Sequence, residues 1–91
     1  MAHQQGTVYL LHFDAPLAHA QHYVGYAEDL EARIVRHRKG NGARLVAVFA
    51  EKGIGFSVAC TWSGDRTEER RIKNMKMAPR LCPICRQHKK A

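Results

Sequence analysis

The hydrophobic patterning of this 91-residue chain implies a small α/β (α+β) domain, with a three-stranded, mostly antiparallel sheet flanked by helices in the order β-β-α-α-β-α. Two apolar runs rich in β-branched and aromatic residues stand near the N-terminus, helical periodicity takes over at Glu28, and a two-residue alternation returns after Gly53.

Thr7-Val8-Tyr9-Leu10-Leu11-His12-Phe13 has strand composition and stops at Asp14-Ala15-Pro16, which predicts a strand followed by a loop. His22-Tyr23-Val24-Gly25-Tyr26 predicts a second, shorter strand, paired with the first as a hairpin with a long connection. Leu30, Ile34 and His37 then fall on one helical stripe. Glu28 and Asp29 suit the positive end of that helix, and Gly40 supplies its stop. Leu45 to Phe49 has the composition of a buried strand, but Glu51-Lys52-Gly53 has the form of a helix terminus and favours a helix over Ala43 to Lys52. In the strand expected from Ile54 to Trp62, Ile54, Phe56, Val58 and Cys60 alternate with Gly55, Ser57, Ala59 and Thr61. Asp65 and Glu68 form a capping-box pattern that starts a last helix, running to about Met77 before Pro79. Residues 1–78 therefore read as the domain and residues 79–91 as a basic, Cys-containing tail.

Lys and Arg total 15 against 8 Asp and Glu, a net charge of +7, which points to a polyanionic partner. No run approaches the roughly 20 apolar residues of a membrane span, and Met1-Ala2-His3-Gln4-Gln5 lacks the layout of a secretory signal, so a cytoplasmic protein is expected. The 3 cysteines, Cys60, Cys82 and Cys85, fit thiols or metal ligands better than a disulfide framework.

The two hairpin strands carry Val8-Tyr9-Leu10 and Tyr23-Val24-Gly25, which resemble the GIY and YIG elements of the GIY-YIG nucleases. Tyr26, Asp29-Leu30, Arg33, His37, Gly40 and Gly42-Ala43-Arg44 follow at the spacing of that family's first helix and next loop. Glu69-Arg70-Arg71-Ile72-Lys73 resembles the segment holding the family's metal-binding glutamate. The resemblance runs from about Thr7 to Lys76. It departs from the family in the asparagine expected after the glutamate, for which only Asn74 is present.

This resemblance implies an endonuclease that hydrolyses DNA with one Mg²⁺ or Mn²⁺. Tyr9 would help to activate water, Tyr23 would position water or phosphate, Arg33 would stabilise the pentacovalent phosphorus and Glu69 would bind the metal. His37 would share the base role with Tyr9 or contact phosphate. Residue types reach the same chemistry independently, because phosphodiester cleavage needs a proton acceptor for water, positive charge at the phosphate and usually a divalent cation. Arg33 and His37, four apart on a helix, would project from one face.

Cys82-Pro83-Ile84-Cys85 followed by His88 has zinc-knuckle spacing and lacks one ligand, which Cys60 or another histidine would supply. The competing reading has Leu81, Cys82 and Ile84 packing on the sheet as hydrophobes. Arg36, Arg38, Lys39, Arg44 and Lys73 are the candidate phosphate contacts, which would give affinity without sequence information. Two other functions fit the same residues, a nucleic-acid-binding module that does not cut and a small zinc-binding interaction protein.

Overall fold

The computed structural model describes residues 6–18, 20–75 and 78–88. In chain order the elements are β1 (Gly6–Leu17), β2 (Ala20–Ala27), α1 (Leu30–Arg38), α2 (Arg44–Glu51), β3 (Phe56–Gly64), α3 (Arg66–Met75), α4 (Ala78–Leu81) and α5 (Pro83–His88). The three strands form one antiparallel sheet in the order β2-β1-β3. The expected α+β class and element order are thus observed, with two short helices added in the tail.

Strand β1 is central and buried on both faces. Val8, Tyr9, Leu10 and Leu11 are all fully covered. Successive side chains of a strand point to opposite faces. Accordingly Tyr9, Leu11 and Phe13 join Val46, Phe49 and Phe56 in one cluster, against which Leu30 and Ile34 of α1 also pack. Val8 and Leu10 join Val24, Tyr26, Ile72 and Cys82 in another, with Trp62, Leu81 and Ile84 at its border. The apolar tail reading is correct to this extent, since Cys82 is fully buried and the tail covers the second face.

Local signals set the helix ends. Asp29 caps α1 by accepting from the Ala32 N–H at 3.1 Å, and Asp65 precedes α3 with its Oδ1 accepting from Thr67 and Glu68 N–H groups at 3.0 and 3.2 Å. Gly40 and Gly53 follow α1 and α2 with φ of 80° and 74°, a conformation in which a Cβ is strained. Helix α2 buries Val46 and Phe49, three apart, and leaves Leu45 and Val48 partly exposed. This is why an apolar stretch with strand composition forms a helix.

Two expectations are corrected. Strand β1 does not stop at Asp14-Ala15-Pro16 but continues to Leu17, which pairs with Ala20 after an irregularity beyond His12, so the hairpin connection is short. Residues 14–16 are exposed on this extension, and the Asp14 N–H is held by the Gly55 carbonyl at 2.9 Å. Strand β3 begins at Phe56, and its alternation is interrupted. Leu10 pairs with Cys60 but Leu11 with Val58, so Ala59 is the extra residue of a bulge. Without the bulge, Phe56 and Cys60 would share a face; with it, Phe56 enters the first cluster and Cys60 the second.

The Phe13 and Phe49 rings stack with centroids 3.7 Å apart and an interplanar angle of 4°. Phe49→Ala should therefore cost about 3–5 kcal/mol, seen as a lower urea midpoint at unchanged slope. A loss under about 1 kcal/mol would show that this stack does not hold α2 to the sheet.

Candidate active site and a His/Cys cluster

Tyr9 lies opposite Gly25 in the hairpin register, and Leu11 lies opposite Tyr23. A Cβ at Gly25 would overlap the Tyr9 hydroxyl and come within 2.7 Å of Tyr23 Cε2, so glycine is what lets the Tyr9 phenol cross β2. There the hydroxyl meets His37 Nε2 of α1 at 2.7 Å. Ring centroids complete a triangle, with Tyr9 to Tyr23 at 6.2 Å, Tyr9 to His37 at 5.8 Å and Tyr23 to His37 at 5.7 Å.

His37 is fully buried, and its Nδ1 has no hydrogen-bond partner. Gly42, in the loop after α1, packs against that nitrogen so closely that any Cβ there would overlap it. The expectation that His37 projects from the helix beside Arg33 toward a phosphate is therefore corrected. The stripe shared with Leu30 and Ile34 faces the core, and the ring's hydrogen-bond partner is Tyr9.

Burial foremost, and then the Tyr23 phenol, pushes the Tyr9 pKa up to about 12, while the Arg33 guanidinium opposes the shift and Glu69 adds slightly to it. Burial foremost, and then the charges of Arg33 and Arg36, pulls His37 below the usual imidazole range. Phenol and imidazole are both neutral at pH 7 on this account. Arg33 is half-buried on α1 and reaches the Tyr26 carbonyl at 3.5 Å. On α3, Glu69 has a side chain 14% exposed and pairs with Lys73 Nζ at 3.2 Å. Lys73 Nζ in turn stands 5.4 Å from the Tyr23 ring centroid. Tyr9, Tyr23 and His37 are thus in mutual contact, with Arg33 and Glu69 near enough to act on the Tyr9 phenol and Glu69 joined to the Tyr23 ring through Lys73.

The basic candidates Arg36, Arg38, Lys39, Arg44 and Lys73 are exposed. Their surroundings differ. Arg36 shares a depression with Arg33 and Arg66, Lys73 is neutralised by Glu69, and the Arg38 guanidinium lies 4.5 Å over the Phe56 ring. Asn74 is exposed and borders the same hollow as Glu69.

On the opposite sheet face, His12 of β1 and His22 of β2 are register partners. Together with Cys82 and Cys85 they place one ligand atom each within 4.8 Å of all the others, the only group of three or more such side chains among the described residues. These four side chains can hold a metal ion. Cys60 stands apart from them, its thiol directed at the Leu81 carbonyl at 3.7 Å, with its pKa raised by burial first and then by Cys82. The His88 side chain, a ligand candidate from the sequence, lies outside the described residues. The two histidines were missed because they are ten residues apart and adjacent only through strand pairing. The signal was present nonetheless, since pairing Tyr9 with Gly25 places residue 12 opposite residue 22.

The chain matches no protein-family model, no curated protein and no solved structure. Its functional reading therefore rests on these side chains.

Because the fold keeps His37 neutral while the unfolded chain protonates it near pH 6.5, stability should fall as pH drops below 6.5 toward the folded-state pKa and be unaffected by this residue above it. Denaturation midpoints between pH 8 and 5 check this, and His37→Asn should flatten the acid limb. An identical slope in that variant would mean that other groups carry the dependence.

Proposed function

We propose that this protein is a metal-dependent endonuclease of the GIY-YIG type, which hydrolyses phosphodiester bonds of DNA. The observation that supports it most is the buried hydrogen bond between Tyr9 and His37, 2.7 Å long, beside Tyr23, Arg33 and Glu69. A strand tyrosine kept protonated and joined to a neutral imidazole is an expensive arrangement for packing alone, because burying polar groups costs free energy that apolar residues would not incur. For proton transfer it is apt.

In this reading, neutral His37 offers Nε2 to the Tyr9 hydroxyl. Once substrate binding opens the covered hydroxyl to water, the proton of the water attacking phosphorus would pass to the Tyr9 oxygen while the phenolic proton moves to His37. The relay spares Tyr9 from existing as a free phenolate, which a pKa of about 12 forbids at neutral pH. Arg33 would face the charge building on the phosphoryl oxygens, and Tyr23, beside the phenol, would orient the water or the phosphate. Glu69 is the one carboxylate of the group and suits Mg²⁺ or Mn²⁺, which accept a single carboxylate completed by waters and substrate phosphate. Such an ion would neutralise the leaving oxygen. Lys73, paired with Glu69 at 3.2 Å, would add a phosphate contact beside that carboxylate. Arg36, Arg38, Lys39 and Arg44 would add sequence-independent affinity.

A purified sample, desalted and then supplied with Mg²⁺ or Mn²⁺, should cut labelled single-stranded, duplex or forked DNA. Tyr9→Phe and Arg33→Ala should each slow cutting by about 10²-fold or more, and Glu69→Ala should abolish it without loss of DNA binding. Protein that binds DNA and never cuts it would replace this reading with that of a binding module. For the active protein, the rate should fall on the acid side below pH 6.5, as His37 gains the proton that blocks its Nε2. An acid limb that persists in His37→Gln with residual activity would remove the relay.

A further inference from the structure

We infer that His12, His22, Cys82 and Cys85 form a structural zinc site that clamps the C-terminal tail onto the β1–β2 hairpin. The inference stands apart from the nuclease reading, for the four side chains lie on the sheet face opposite Tyr9.

The distances carry it. His12 Nδ1 and His22 Nε2 are 3.3 Å apart, Cys85 Sγ is 3.3 Å from His22 Nε2 and 3.6 Å from His12 Nδ1, and Cys82 Sγ is 3.5 Å from His12 Nδ1. With Zn–N near 2.05 Å and Zn–S near 2.3 Å, the edges of a tetrahedron are about 3.3 Å for N···N and about 3.6 Å for N···S. These four separations fall within about 0.3 Å of those edges, which is what about 0.2 Å in a metal–ligand distance becomes along a tetrahedral edge, and the two remaining pairs lie within 4.8 Å. Hydrogen bonding does not explain the same contacts. His12 Nδ1 has three neighbours at 3.3–3.6 Å, yet an imidazole nitrogen carries either one proton or one lone pair and serves one partner well.

The donor set names the ion. Two thiolates and two imidazoles in a closed tetrahedron select zinc among common divalent metals, and no hard oxygen ligand is present to favour Mg²⁺ or Ca²⁺. With all four positions filled by protein, the site has no place for a reacting water and is structural. Cys82 is fully buried and Cys85 half-buried, and the C-x-x-C spacing of zinc knuckles sets Cys82 just before α5 and Cys85 in its first turn.

Metal analysis of full-length protein purified under reducing conditions should give one zinc per chain, and the Co²⁺-substituted protein should show the thiolate charge-transfer and tetrahedral ligand-field bands of an S₂N₂ site. His22→Ala and Cys85→Ser, which remove a ligand, should each weaken zinc binding by more than the roughly 10–100-fold that loss of an outer-shell partner costs, whereas Cys60→Ser and His88→Ala should retain full stoichiometry. Chelator should lower the melting temperature of the wild type and leave that of His22→Ala unchanged. Reduced, folded protein that takes up no zinc would overturn the proposal, as would zinc binding that survives His12→Ala and His22→Ala or is lost in Cys60→Ser. None of these readouts uses DNA cleavage, so they stand whether or not the protein is a nuclease.

Discussion

Everything in this fold is referred to one strand. Strand β1 pairs on both sides and is covered on both faces, so each of its residues from Val8 to Leu11 is committed to one of two cores by parity alone. A slip of one residue in its register would exchange those faces and move Tyr9 from the helix α1 side to the tail side. The constraint is severe in a chain this short, because neither core is large enough to stand without the strand they share. It also explains how a polar group comes to be enclosed. Tyr9 has to fill core space with its ring, so its hydroxyl needs a partner inside the protein, and α1 delivers the His37 imidazole to it.

Two glycines make that meeting possible by what they lack. Gly25 leaves β2 bare where the phenol crosses it, and Gly42 lets the loop after α1 close against the imidazole. The pair is thus held by backbone on two sides and by the Tyr23 ring on a third. Preorganisation of this kind is what proton transfer between weak acids and bases requires, since little rearrangement is left to be done when the proton moves.

The element order was legible in the sequence because each transition carries its own local signal. Asp29 and Asp65 announce helices, Gly40 and Gly53 end them, and the period changes between. What was not legible came from pairing and packing. Nothing near Ala59 marks it as the bulged residue, yet that insertion decides which core Phe56 and Cys60 enter. His37 stands among Arg33, Arg36 and Arg38, which suggests solvent, while its helical stripe with Leu30 and Ile34 indicates the core, and tertiary packing favoured the stripe. Cys82 and Cys85 stood out by spacing, whereas His12 and His22 become neighbours only once the strands are aligned.

The His/Cys cluster joins residues 70 positions apart, His12 near one end of the chain and Cys82 near the other. During synthesis from the N-terminus, the hairpin, its helices and β3 all emerge before either cysteine is made. The two histidines must then wait on an open sheet face while the rest of the domain assembles, and the cluster closes only once α5 has been made. A chain cut short before α4 keeps every side chain of the Tyr9 group and lacks Cys82 and Cys85, so the two groups of side chains are built at different times.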